Sequence, residues 1–207
     1  MNAYRMAKLA RVGRMRPVLA AALLLGVALP AWAHSEASDL TGGFAAGFLH
    51  PVRGWDHVVA MVAVGLWGAF LGRPAIWMLP VVFPVVMAFG GVLGIAGVPL
   101  PAVEVGIALS AIVLGAMVAA AARPPLPIAA AIVGAFAIFH GHAHGTELPD
   151  AASPLAFSLG FVIATGLLHL CGIAFGLLAR WPQGRIAVRA GGVVIALVGV
   201  GVLVGWL

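Results

Sequence analysis

The chain has 207 residues, of which 63% are hydrophobic and only 8% charged, with a mean hydropathy of +1.15. A soluble domain carries about 25% charged residues, so this composition excludes one, and a lipid bilayer takes the place of a conventional core. The formal net charge of +5 does not point to nucleic acid: Arg5, Lys8, Arg11, Arg14 and Arg16 crowd the start, and from His34 onward Arg53, Arg73, Arg123, Arg180, Arg185 and Arg189 balance Glu36, Asp39, Asp56, Glu104, Glu147 and Asp150.

The basic start runs into "PVLAAALLLGVALP" and then "AWA" ahead of His34. That is the layout of a secretory signal with an A-x-A cleavage site. Cleavage after Ala33 is expected, which removes residues 1–33 and leaves 34–207 as a membrane domain. His34 then carries both an α-amine and an imidazole, a bidentate chelate close to Glu36 and Asp39. Leu40 to Leu49 is too short to span and reads as a half-inserted or re-entrant helix. Pro51 is expected to end it, because the residue before a proline is pushed out of helical dihedrals; here that residue is His50.

No alternating strand pattern follows, so the fold class is all-α: a polytopic membrane bundle of six transmembrane helices. A span needs about 20 mostly apolar residues. The candidates run from Trp55 to Leu71, Ala75 to Gly97, Pro101 to Ala122, Pro127 to about His142, Pro154 to Ala179 and Ile186 to Trp206, separated by "GRP", "GVPLP", "RPPLP", "LPDAASP" and "RWPQGR". If the mature N-terminus is periplasmic, every arginine after the signal except Arg53 falls in a cytoplasmic connection. That matches the positive-inside rule and implies the bacterial inner membrane. All six acids lie outside or at outer helix ends. Gly90/Gly94, Gly172/Gly176 and Gly201/Gly205 have the four-residue spacing that lets helices approach closely, within the chain or between copies of a homo-oligomer. The single Cys171 makes no internal disulfide.

Ligand chemistry collects on the outer side. "HPVRGWDH" places His50, Asp56 and His57 at the start of the first span, Glu104 lies one turn into the third, and "FHGHAHGTE" ends the fourth. At about 100° per residue, a continuous helix puts His140, His144 and Glu147 on one stripe and turns His142 away. Ionisable groups in a membrane segment are costly and usually functional. Imidazoles and carboxylates together suit Ni(II) or Cu(II), with Zn(II) also accepted. No Cys or Met cluster accompanies them, which argues against a Cu(I) carrier. His169 lies about 23 Å into the fifth span, as a histidine bonded to a neighbouring carbonyl or as a deeper relay for an ion.

"HPVRGWDH" followed by "FHGHAHGTE", after a cleavable signal and within six spans, resembles the HupE/UreJ family of nickel/cobalt permeases over essentially the whole mature chain. The H-x5-D-H element is also similar to the H-x4-D-H signature of the larger nickel/cobalt transporter class, with one extra residue. The resemblance implies uptake of Ni(II) or Co(II) as transported substrate, with no permanently bound cofactor. It also implies an indirect link to the metal supply of hydrogenase, urease or cobalamin synthesis. Carried over by position, the metal-handling residues are His50, Asp56, His57, Glu104, His140, His144 and Glu147; His34, His142 and His169 are further candidates. No G-x4-G-K-[ST] loop is present and Lys8 is the sole lysine, so ATP hydrolysis by that route is excluded. The expectation is a permease working by facilitated diffusion or secondary transport. The alternative is an intramembrane zinc hydrolase with three protein ligands and a metal-bound water.

Overall fold

The computed structural model describes residues 43–147 and 154–207. The expected signal peptide, His34 and residues 148–153 lie outside the described residues. These form seven α-helices and no strand: α1 Gly43–Arg53, α2 Trp55–Leu71, α3 Ala75–Ile95, α4 Val103–Ala119, α5 Leu126–Glu147, α6 Pro154–Gly176 and α7 Pro182–Leu203, with a 3-10 turn at Leu177–Arg180 between the last two. Among them Ala75–Ile95, Leu126–Glu147, Leu155–Arg180 and Pro182–Leu203 are long and apolar enough to cross a membrane, and α1 with α2 makes a fifth candidate bent by 82°. The 17-residue α4 is apolar but shorter, about 26 Å at 1.5 Å per residue.

The bend corrects one expectation. Pro51 does not end the first helix, which continues through His50 and Pro51 to Arg53. A helical proline forfeits one i−4 hydrogen bond and crowds one carbonyl. Here that carbonyl belongs to Gly47, whose bare Cα rests on the Phe157 backbone. The break falls instead at Gly54, which is extended at φ −97° and ψ 121°.

The helices after α1 alternate in direction between two ends of the bundle. At one end His57 opens α2 and Glu147 closes α5, while Asp56, Glu104, Val202 and Leu203 line one cavity. At the other end Arg73, Arg123 and Arg180 line another. There Trp67 Nε1 donates to the Ala122 carbonyl, and Arg123 lies 4.8 Å above the Phe70 ring. Arg189 Nε donates 2.7 Å to the Ala119 carbonyl, placing a cation at the C-terminus of α4, where the helix dipole favours it.

Glycine sets the closest crossings. A Cβ on Gly90 or Gly94 of α3 would strike the Ile138 or His142 carbonyl of α5, and a Cβ on Gly141 or Gly145 would strike the Met87 or Gly91 carbonyl in return. Gly172 and Gly176 meet α2 at Val62 and Leu66, and Gly115 and Gly192 join α4 to α7. The first two of the expected glycine pairs are therefore used inside the chain. The third is not a pair: Gly201 faces the Leu207 side chain, whereas Gly205 lies beyond α7 at φ 75°, the left-handed residue that commonly closes a helix.

Candidate metal centre

The α3 crossing holds α5 helical well past His142, through Glu147. Its last two turns present His140, His144 and Glu147 toward α1 and α2. Two overlapping ligand groups result. His57, His140 and His144 form one, and His50, His144 and Glu147 form the other, with the candidate donor atoms of each group within 4.8 Å of one another. His144 belongs to both. The ring centroids of His50 and His57 stand 4.8 and 4.7 Å from that of His144, and His57 is 5.1 Å from His140. The Phe161 ring, 4.4 Å from His144, closes the side facing α6. At the mouth, His50 Nε2 pairs with Glu147 Oε2 at 3.1 Å.

His57 and His140 are each gripped by one nitrogen and left bare at the other. His57 Nδ1 lies 2.8 Å from Asp56 Oδ1, so it donates its proton there and keeps Nε2 as a lone pair. Ser110 Oγ donates to the Ile107 carbonyl at 2.6 Å. A hydroxyl has one proton, so toward His140 Nε2 at 3.0 Å it can only accept. That leaves Nδ1 of His140 as the lone pair. His57 Nε2, His140 Nδ1 and both nitrogens of His144 are buried with no hydrogen-bond partner among the described residues; His144 Nδ1 stands 3.8 Å from Glu147, too far for one. Leaving a buried polar atom unpaired costs about 1–3 kcal/mol. Each of these three rings offers one nitrogen within 4.8 Å of the others, an arrangement that an imidazole-ligated cation would satisfy. A partner that fixes the tautomer of a ligating histidine is also the usual supporting arrangement around a metal.

The remaining expected residues lie apart from these groups. Asp56 stands behind His57. Gly54 leaves room for this, since a Cβ there would come 2.6 Å from Asp56 Oδ1. Glu104 is exposed and lines a cavity of about 450 Å³ with Asp56 and Arg53, beside the histidines rather than among them. His142 is turned away, its Nε2 2.7 Å from the Val98 carbonyl, and so ties α5 to the connection after α3. His169 is buried on α6 against Phe83. Ser110 was not anticipated; the one available signal was a hydroxyl in the apolar run of α4 that follows Glu104.

The profile of a protein family described as HupE / UreJ protein matches residues 22–202. Protein HupE of Rhizobium leguminosarum bv. viciae is 45% identical over 182 residues, which cover 88% of this chain and 95% of that protein. No solved structure matches the chain.

Proposed function

The chain belongs to the HupE/UreJ family, one associated with nickel and cobalt uptake, and we propose that it is an inner-membrane permease admitting Ni(II) or Co(II) from the periplasm. The observation that carries this reading is the pair of ligand groups sharing His144. An ion held by His50, His144 and Glu147 reaches His57 and His140 by exchanging ligands around His144, without passing through a fully stripped state. Shared, sequential and individually weak sites are what conduction requires. A closed four-ligand cage would hold the ion instead.

In this reading all six helices from α2 to α7 cross the bilayer, with α4 extended by its flanking residues. The histidine end faces the periplasm and the arginine end the cytoplasm, following the positive-inside rule. Residues 1–33 are a cleaved signal peptide, and His34, made N-terminal by that cleavage, captures ions ahead of His50. Asp56 orients His57, and Glu104 draws cations into the vestibule. Membrane potential alone supplies a drive, since two charges crossing 100 mV gain about 4.6 kcal/mol. The zinc-hydrolase alternative gains no support, because the family is a transport family and the ligands divide into two linked groups.

The decisive experiment is radioactive Ni(II) uptake into proteoliposomes under an inside-negative potential, with Co(II), Cu(II) and Zn(II) as competitors. Potential-dependent accumulation that Co(II) competes away is expected; no accumulation above empty liposomes would sink the proposal. Sidedness is tested in cells with an impermeant thiol reagent on a Cys171→Ser background. Cysteine at position 149 should react and cysteine at position 183 should not.

A further inference from the structure

A further buried imidazole with a bare nitrogen lies deeper in the bundle. His169 is 2% exposed, and its Nε2 is buried with no partner among the described residues. Its ring lies against the Pro80 carbonyl. That carbonyl is available for a specific reason. In a regular helix it would accept the N–H of the residue four positions on, but position 84 is also proline and has no N–H to give. The freed carbonyl lies beside the imidazole, whose Nε2 is bare. One turn earlier on the same face of α6, the Thr165 hydroxyl is likewise buried and unpartnered.

Phe83 joins this region to the outer groups. It is fully buried, and its ring centroid lies 5.5 Å from that of His140 and 5.5 Å from that of His169. One turn beyond His169, Ile173 lines the arginine-walled cavity of about 500 Å³ at the far end. The polar atoms thus form a broken line across the bundle, running from Glu147 and His50 through His144, His57 and His140, past Phe83, to His169 and on to that cavity.

We infer that His169, with the Pro80 carbonyl beside it and Thr165 one turn away, is a second transit site for the same dication, separated from the outer groups by the Phe83 ring. This rests on the transport reading and deepens it. The outer groups select and hold the ion, and the inner site accepts it when Phe83 rotates aside. A single bare imidazole with neutral oxygens binds a dication weakly. The cavity that follows offers guanidinium groups and no carboxylate, so the ion is released toward it rather than trapped.

The test separates the inner site from the outer one, using Co(II) as an optical probe and radioactive Ni(II) for uptake. His169→Ala and His169→Gln should lower Ni(II) uptake by about tenfold or more, in the range usual for lost metal-site partners. Equilibrium Ni(II) binding to the purified proteins should stay within about twofold of the parent, as for separate sites. The glutamine variant keeps a polar side chain with an N–H beside the Pro80 carbonyl, so its loss of uptake separates the missing imidazole from simple truncation. In His169→Cys/Cys171→Ser, added Co(II) should produce a thiolate-to-cobalt charge-transfer band in the near ultraviolet. Normal uptake in the Ala and Gln variants would overturn the inference, and so would absence of the band in a His169→Cys protein that still binds metal at the outer groups. Failure of the underlying transport reading looks different: His144→Ala would then leave Ni(II) binding intact.

Discussion

The last two turns of α5 carry two faces built on opposite rules. On one, Gly141 and Gly145 press bare backbone against Met87 and Gly91, and His142 closes its hydrogen bond on the Val98 carbonyl; every group there is satisfied or absent. On the other, His140 and His144 hold buried nitrogens with no partner. The first face is finished by the fold, and the second is left for something outside the chain. One helix serves both because a period of 3.6 residues sends neighbouring positions to different sides. The comparison teaches that substitutions one or two residues apart should fail in different currencies, protein abundance on one face and transport on the other.

The largest expected effect is on the packed face. Gly141→Leu places a side chain where the Met87 carbonyl already sits, and α3 cannot withdraw without also breaking its contacts at Gly90 and Gly94. The expected outcome is almost no folded protein in the membrane, measured by fluorescence-detected size exclusion after mild solubilisation. Normal abundance and a monodisperse peak would mean that the α3–α5 crossing is not the fixed frame described above. On the other face, His144→Ala should leave abundance normal and bring Ni(II) uptake close to background, because both ligand groups lose their shared member. Uptake retained within a few-fold at limiting metal would break the comparison from that side.

A smaller effect is expected where the second face is supported from behind. Asp56→Ala frees the proton position on His57, and Ser110→Ala does the same for His140. Loss of such a supporting partner typically lowers metal affinity about 10–100-fold. Ser110→Ala should sit at the low end, since a neutral hydroxyl grips less firmly than a carboxylate. Isothermal titration with Ni(II) checks both. Equal affinity in Asp56→Ala and the parent would mean that Asp56 does not set the orientation of His57.

Much of this was legible in the sequence because it depends on period and composition. The alternation of apolar runs and breakers marked every helix after Gly54, and helical spacing separated His142 from His140 and His144. What stayed hidden depends on partners from elsewhere in the chain. Pro51 reads as a helix end, yet it is tolerated where α1 packs on α6 through Gly47. Glu104 reads as a member of the histidine cluster, but its neighbours are fixed by how α4 leans on α7, which no local pattern encodes. Ser110 and Thr165 are ordinary small residues until a histidine faces one and the other's hydroxyl is buried with no hydrogen-bond partner among the described residues. The link from Pro84 to His169 is a property of a missing hydrogen bond, visible only once α3 and α6 lie side by side.

The smallest effect on transport is expected at His142, and it sharpens the comparison most because this residue sits between two members of the functional stripe. Its Nε2 lies 2.7 Å from the Val98 carbonyl, and the chain turns there out of α3, with Gly97 in the left-handed region at φ 67°. His142→Ala removes the donor and leaves a carbonyl at a helix end to find another partner. The expected cost is that of one hydrogen bond, about 1 kcal/mol, seen as a lower thermal midpoint in detergent. Uptake per folded molecule should be unchanged, because none of the bare nitrogens belongs to this residue. His142→Gln, which can offer an N–H to the same carbonyl, should recover most of the midpoint. A transport loss as deep as that of His144→Ala, in protein of normal stability, would mean that all three histidines turn inward during the cycle. The two faces of α5 would then be a resting arrangement rather than a division of labour.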